Sequence, residues 1–260
     1  MVPTRRRLDA ELVRRGLAGS RNEAQRLISV GGVTVGGKPV PRPATLVAPG
    51  DPIEITAGDR WASRAGGKLA AAIAAFEVAV AGRKALDVGA STGGFTDVLL
   101  ANGAASVTAV DVGYGQLLWR LRTDPRVTVH DRTNFRTADL AALGAPFDLV
   151  VIDVSFISLT LLASGLARAG REGTDYLLLI KPQFEVGREA VGVGGIVRDP
   201  SAQRGAIAAV TAALRAERIA ARALIASPVR GTKGNLEFLL HGVLGGDPVD
   251  VSGLLDEVPA

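Results

Sequence analysis

The chain has 260 residues, of which 47% are hydrophobic and 22% charged, a globular composition that argues against long disorder. It has no cysteine and only two histidines, His130 and His241, which excludes a disulfide framework, a thiol nucleophile, a cysteine zinc site and a three-histidine metal site. The net charge of +4 is confined to residues 1–58, with nine Lys/Arg against five Asp/Glu, while the rest of the chain holds 21 of each. Such a basic quarter is the footprint of a polyanion-binding arm, nucleic acid foremost, or of a solvated basic face.

No apolar run follows the arginines at 5–7, because Asp9, Glu11, Arg14 and Arg15 interrupt it. Leu8, Leu12, Val13 and Leu17 mark an amphipathic helix closed by Gly16 and Gly19. Ser20 opens a second helix with Glu23 three positions on, a capping-box pattern, and that helix stops at Gly31-Gly32. Val33-Thr34-Val35, the turn Gly36-Gly37 and Lys38-Pro39-Val40 spell a hairpin, and Asp51-Pro52-Ile53-Glu54-Ile55 reads as a last short strand. Residues 56–63 read as linker. The chain thus divides into a module at 1–58, connecting residues 59–63 and a body at 64–260.

In the body, strands at 85–88, 106–110, 127–130, 149–153, 176–180, 223–226 and 236–240 alternate with helices. This predicts an α/β fold, a mostly parallel seven-stranded sheet with helices on both faces. The stretch 149–167 has Asp153 as its only formal charge and is long enough for a bilayer. Leu149-Val150-Val151-Ile152-Asp153 reads instead as a buried strand, and Ser155, Ser158 and Gly165 break the apolar run. With no export signal visible, the chain reads as cytoplasmic.

Asp87-Val88-Gly89-Ala90-Ser91-Thr92-Gly93-Gly94-Phe95-Thr96 is a strand, a glycine loop and a helix start, at the sheet edge where doubly wound folds bind ligands. It lacks the G-x-G-x-x-G spacing of dinucleotide-binding enzymes. A carboxylate at Asp87 suits a cationic aminoacyl sulfonium and would repel a pyrophosphate. This resembles the loop of S-adenosylmethionine-dependent methyltransferases, with Gly89, Ala90, Ser91, Gly93 and Phe95 against the cofactor. Asp111, at the end of the second strand, is placed for two ribose hydroxyls, and Asn134, after the third, for an adenine edge. Lysine is scarce, five residues against 25 arginines, so positions that keep it draw attention, because arginine cannot lose its proton. Lys68 precedes the first core helix, Asp153 ends the fourth strand, Lys181 ends the fifth, and Glu237 begins the last. Lys38, Lys84 and Lys233 read as surface groups.

Two resemblances follow. Arg7-Leu8-Asp9, Leu12, Gly16, Ser20-Arg21, Ala24, Ile28, Gly32-Val33, Val35-Gly36-Gly37 and Gly50-Asp51 resemble the small RNA-binding module first described in ribosomal protein S-four, which docks on structured RNA. Arg21, in the first turn of the second helix, and Arg7 on the same surface are the RNA contacts this implies, with Arg14 and Arg15 left solvated. Across nearly the whole chain, Ser63-Arg64, Lys68-Leu69, the loop from Asp87 to Thr96, Asp111-Val112-Gly113-Tyr114-Gly115-Gln116, Arg132-Thr133-Asn134, Asp153-Val154-Ser155-Phe156-Ile157-Ser158, Lys181-Pro182-Gln183-Phe184-Glu185-Val186-Gly187 and Gly234-Asn235-Leu236-Glu237 resemble the TlyA family. These are ribosomal RNA 2′-O-methyltransferases, also labelled hemolysins. The resemblance implies a Rossmann-like class I domain of the FtsJ-like kind, with S-adenosylmethionine as cofactor. The implied acceptor is a cytidine 2′-hydroxyl in large-subunit RNA and, in some members, small-subunit RNA. It also implies a catalytic tetrad at Lys68, Asp153, Lys181 and Glu237. Family members often carry Arg-any-Trp-Val in the linker, where this chain has Asp59-Arg60-Trp61-Ala62.

In the expected reaction, Lys181 is the general base, with Lys68 as the neighbouring cation that helps to free it of its proton. Asp153 orients Lys181 and the methyl group, and Glu237 holds Lys68 or the substrate ribose. The chemistry requires no metal, and no obligatory protein partner is implied beyond ribosomal RNA or a ribosomal subunit. Two rivals stand beside this reading. The same module precedes pseudouridine synthases, but the glycine loop and strand–helix alternation speak against that fold. A membrane-lytic role finds no signal, span or strongly amphipathic surface helix to support it.

Overall fold

Leu8 and Leu12 on one helix and Ala24 and Ile28 on the next are fully buried, spaced one helical turn apart so that each pair lies on one face. The computed structural model describes residues 5–29, 32–55, 61–231 and 233–247. In the N-terminal piece, β1 (Arg6–Arg7), α1 (Leu8–Arg14), α2 (Arg21–Ser29), β2 (Val33–Val35), β3 (Lys38–Pro39), β4 (Leu46–Val47) and β5 (Ile53–Ile55) enclose a core completed by Val33, Val47 and Ile53. The expected hairpin is present, pairing Thr34 with Pro39 and Val35 with Lys38, and β5 adds to its other side. The two-residue pair β1–β4 was not expected, since strands so short carry no alternation. Helix α1 ends at Arg14, short of the predicted Leu17. Residues 56–60 of the expected linker and Gly31 of the expected helix stop lie outside the described residues.

The capping box at α2 is half made. The Ser20 hydroxyl accepts the Glu23 N–H at 3.2 Å, but the buried Glu23 carboxylate does not close the box onto Ser20. It accepts the Gly19 N–H at 2.8 Å and, from 96 residues on in the chain, the Trp119 N–H at 3.0 Å. Leu27 of the same helix packs on the core of the larger body.

That body contains α3 (Ala65–Phe76), β6 (Lys84–Val88), α4 (Gly94–Ala101), β7 (Ser106–Val110), α5 (Trp119–Arg122), β8 (Val127–His130), β9 (Phe147–Ile152), α6 (Ala163–Ala169), β10 (Gly170–Ile180), α7 (Pro182–Glu185), α8 (Pro200–Ala216), β11 (Ile219–Ala226) and β12 (Phe238–Leu244). Seven strands form one sheet in the order β11-β12-β10-β9-β6-β7-β8, and only β12 runs antiparallel to its neighbours. Strand residues alternate between two cores, as the period of two requires. Leu86, Val88, Val150, Ile152, Leu178 and Ile180 face α6 and α8. Ala85, Val107, Ala109, Leu149, Val151, Leu177 and Leu179 face α3 and α4.

The strand limits differ from expectation most in three strands. The polar run 170–175 carries no apolar alternation, yet Gly170 pairs with Phe147 and lengthens β10 at its start. Strand β11 begins at Ile219, four residues early. Strand β12 begins at Phe238, because Asn235 is occupied by the loops beside it: its carbonyl accepts the Gly231 N–H and its side-chain oxygen the Val197 N–H. Lys84, expected at the surface, donates to the Gly144 carbonyl and lies over the Phe147 ring.

Candidate active site

Strand register sets the geometry of the site. Val88 pairs with both Val110 and Ile152, and Ile180 pairs with Phe238, so the residues that follow β6, β7, β9 and β10, and the one that precedes β12, share one rim. Asp111, Asp153, Lys181 and Glu237 each lie one residue outside a strand. Lys68 is not before α3 but within its first turns. Lys68, Asp153, Lys181 and Glu237 line one cavity of about 570 Å³, together with Ser155, Phe156, Gln183 and Phe184.

Within that cavity the charges form two pairs. Lys181 Nζ contacts Asp153 Oδ1 at 2.5 Å and donates to Ser155 Oγ at 2.9 Å. The Lys68 ammonium donates to Glu237 Oε2, and both are buried. Gln183 Nε2 donates to Glu237 Oε1 at 3.4 Å. Each buried charge thus has an opposite charge, which buried ions require.

The glycine loop joins this site through its backbone. A methyl group on Gly89, whose φ is +86°, would collide with the Asp153 carbonyl, so only glycine lets the two loops approach. Ser91 N–H donates to Asp111 Oδ2 at 2.8 Å and Gly113 N–H to Asp111 Oδ1 at 2.7 Å, which fixes that carboxylate at the rim. Asp87 lies beneath the loop, fully buried. Its Oδ2 accepts from the Thr96 hydroxyl at 2.6 Å, and its Oδ1 has no partner. Burial pushes its carboxyl up to about 7, an effect that the Thr96 bond opposes and the negative charge of Asp153 reinforces. An orphaned, buried carboxylate oxygen under a glycine loop suits a cationic ligand above it, so the chemistry of this cradle fits the aminoacyl sulfonium of S-adenosylmethionine.

The remaining expected residues divide. Ala90 is buried and Ser91 exposed with φ +48°, and Gly93 is the N-cap of α4. Asn134 is exposed, and its Oδ1 accepts the Arg136 N–H. Phe95 is 3% exposed and packs in the core with Val98 and Leu99, so what it can offer a ligand is its backbone. Arg7 and Arg21 meet on one buried carboxylate, Asp9. Arg7 donates to it at 2.9 and 3.1 Å and Arg21 at 3.3 Å, with half of each arginine left exposed. Arg15 is not solvated: it donates to Glu11 and to the carbonyls of Ala48, Pro49 and Asp51. Arg14 is held by Glu11.

Sequence reasoning missed Ser155 and Phe156, although both lie in a motif it quoted. Phe156 is 91% exposed at φ +64°, a costly backbone for an aromatic residue, and sits 5.1 Å from the Phe184 ring. Glu185 holds that loop: it accepts from Ser158 Oγ at 2.5 Å and Leu159 N–H at 2.9 Å.

Sheet, loop and paired lysines define a class I S-adenosylmethionine-dependent methyltransferase joined to a small RNA-binding module. The FtsJ-like methyltransferase family matches residues 61–243, and the S4 domain matches residues 6–53. The chain is 50% identical over 240 residues to the 16S/23S rRNA (cytidine-2′-O)-methyltransferase TlyA of Mycobacterium tuberculosis, covering 91% of this chain and 89% of that one. It is 36% identical to Hemolysin A of Brachyspira hyodysenteriae over 92% of this chain and all of the other. A solved structure of a protein called a hemolysin from Streptococcus thermophilus superposes with a TM-score of 0.74 at 36% identity, covering 99% and 96%. The chain belongs to the TlyA family of FtsJ-like methyltransferases, and S-adenosylmethionine is its cofactor.

Proposed function

We propose that this protein methylates the 2′-hydroxyl of a cytidine in ribosomal RNA of the large subunit, in the cytoplasm, with small-subunit RNA as a second substrate. The observation that carries the reading is the pair of lysine–carboxylate contacts facing one cavity beside the glycine loop. When bound, S-adenosylmethionine supplies a methyl group already activated for transfer, so positioning is a large part of the catalysis. Asp111 receives the cofactor ribose, and Asp87 favours its positive charge from below. Lys181, oriented by Asp153 and Ser155, first loses its own proton to solvent, helped by the neighbouring Lys68 cation, and as the neutral amine takes the proton of the 2′-hydroxyl. Lys68, held by Glu237, supplies a second positive group that faces the oxygen as it loses that proton. Phe156, over Phe184, stacks on the base of the acceptor nucleotide. Arg7 and Arg21 contact RNA phosphates and set where the catalytic body lands.

The name of the Brachyspira relative raises a lytic alternative. Among the described residues, no helix is long and apolar enough to cross a membrane. The test is methyl transfer from labelled cofactor to ribosomal subunits that lack the modification, followed by alkaline hydrolysis. Label on an alkali-resistant cytidine dinucleotide is expected, whereas label on a base, or none on RNA, rejects the reading.

A further inference from the structure

The catalytic groups lie at the floor of their cavity: Lys68, Lys181 and Glu237 are 7%, 9% and 2% exposed. A stacked RNA helix cannot reach them, so a nucleotide must swing out alone, leaving a gap in the stack. On the rim of the same cavity stands a short hairpin. Gly192 N–H donates to the Ile196 carbonyl at 3.1 Å, and Gly195 N–H to the Gly192 carbonyl at 3.0 Å. Gly194 at the third turn position has φ +80°, the requirement of a type II turn. This leaves Val193 at the corner, 91% exposed.

Two features set this valine apart from a stray surface residue. The hairpin is anchored, since Asn235, 2% exposed, donates to the Gly195 carbonyl at 2.8 Å and accepts the Val197 N–H at 2.9 Å. It is also bracketed by cations. A methyl group on Gly195 would lie 3.6 Å from the Lys233 ammonium, and one on Gly192 would lie 3.7 Å from the Arg198 guanidinium. Both are exposed, and neither forms an ion pair among the described residues.

We infer that Val193 is a wedge that enters the RNA stack and fills the space vacated by the target nucleotide, while Lys233 and Arg198 hold the phosphates on either side. Apolar side chains inserted between base steps lower the cost of unstacking, and cations beside them suit the backbone. The inference rests on the proposed 2′-O-methylation of RNA. It assigns the hairpin to opening the substrate, separate from the chemistry.

The experiment uses the full chain and the cytidine that the wild-type protein is found to methylate. Two RNAs carry it, one with the cytidine paired in a helix and one with it opposite an abasic site, each with 2-aminopurine on its 3′ side. Single-turnover methylation and 2-aminopurine fluorescence are read for wild type, Val193→Ser and Val193→Leu. Val193→Ser is expected to slow methylation of the paired RNA by about 10- to 100-fold and to abolish its fluorescence rise, leaving the unpaired RNA within about threefold. Val193→Leu is expected to stay near wild type on both. Equal slowing of both RNAs by Val193→Ser, or no slowing of either, overturns the wedge. If no cytidine of ribosomal RNA is methylated by the wild-type protein, the methylation reading falls and the wedge with it, whereas wild-type methylation of the paired RNA without a fluorescence rise overturns the wedge alone.

Discussion

At the scale of single residues, the question is which group moves the proton. Lys181→Arg keeps a charge beside Asp153 and Ser155 but cannot accept a proton, and Lys181→Met removes the charge as well. If Lys181 is the base, both variants lose about 10²–10⁴-fold in single-turnover methyl transfer while still binding cofactor and RNA. An arginine variant within a few-fold of wild type would reduce Lys181 to a fixed charge. Asp87 gives a second test. With its carboxyl near 7, it is partly protonated at neutral pH, facing the negative charges of Asp153 and Asp111. A cationic cofactor favours the carboxylate, so binding releases a proton and tightens as pH rises from about 6 to 8. Calorimetry in buffers of different ionisation heat measures that proton, and Asp87→Asn is expected to abolish it. The sign for folding is opposite. Between about pH 4 and 7 the folded state binds more protons at Asp87 than the unfolded state does, so this group's contribution to stability falls as pH rises. Three of the four cavity groups were legible in the sequence, because Asp153, Lys181 and Glu237 sit just outside strands that hydrophobic runs reveal, whereas Lys68 was placed before a helix that contains it. Phe156, Phe95 and Glu23 were not legible. An aromatic in a loop can stack on a ligand or bury itself, and only packing decides, outward for Phe156 and inward for Phe95. A glutamate at a helix start points equally to its own N-terminus or to a distant N–H, and Glu23 does both, taking the Gly19 N–H with one oxygen and the Trp119 N–H with the other.

At the scale of elements, strands were read more securely than short helices. Buried strands such as β9 are continuous apolar runs, since both faces are covered, and such runs stand out. Helices α5 and α7 have four residues each, too few for a periodic pattern, and exist because tertiary contacts support them. The N-terminal element pair α1–α2 is built differently from the sheet. Two buried carboxylates of α1 are ringed by arginines: Asp9 ties the helices together through Arg21 and Gln25, and Glu11 holds Arg14 and Arg15 at the end of α1. Both are held well below the ordinary carboxylate range, mainly by hydrogen bonds from Arg7 and Arg14 respectively. In the unfolded chain these groups titrate near about 4. Below that pH the unfolded state binds more protons, and the stability these bonds supply is lost as pH falls. The N-terminal module is therefore expected to melt on acidification below about pH 4 while the sheet persists. Amide exchange followed through an acid titration checks this, and the module outlasting β9 and β10 would contradict it. Asp9→Asn should weaken the module at neutral pH and free both Arg7 and Arg21 from their anchor, so RNA affinity falls although both arginines remain.

At the scale of the whole molecule, the module and the body are joined by more than the linker. Trp61 packs over Gly66, and Ala62 N–H donates to Asp97, which also holds Arg120. Gly19 lies directly against the Trp119 indole, and Glu23 accepts the N–H of the same residue. The basic charge is on one side of this joint and the cofactor cradle on the other. Removing residues 1–58 should therefore leave the seven-stranded sheet, the Asp111 carboxylate and cofactor affinity in place, because the hydrogen bonds that build the cradle all arise within the body. RNA affinity should drop, and so should its dependence on salt, by about one unit of log–log slope for each phosphate that the module had neutralised. Asp111→Ala in the full chain should do the reverse, weakening cofactor binding and leaving the salt slope unchanged. Measuring both affinities for both variants over a range of salt tests the division of labour directly. A truncated protein that holds ribosomal RNA as tightly as the full chain, with the same slope, would move the docking surface onto the catalytic body, where Arg64, Arg198, Arg230 and Lys233 are exposed cations near the cavity.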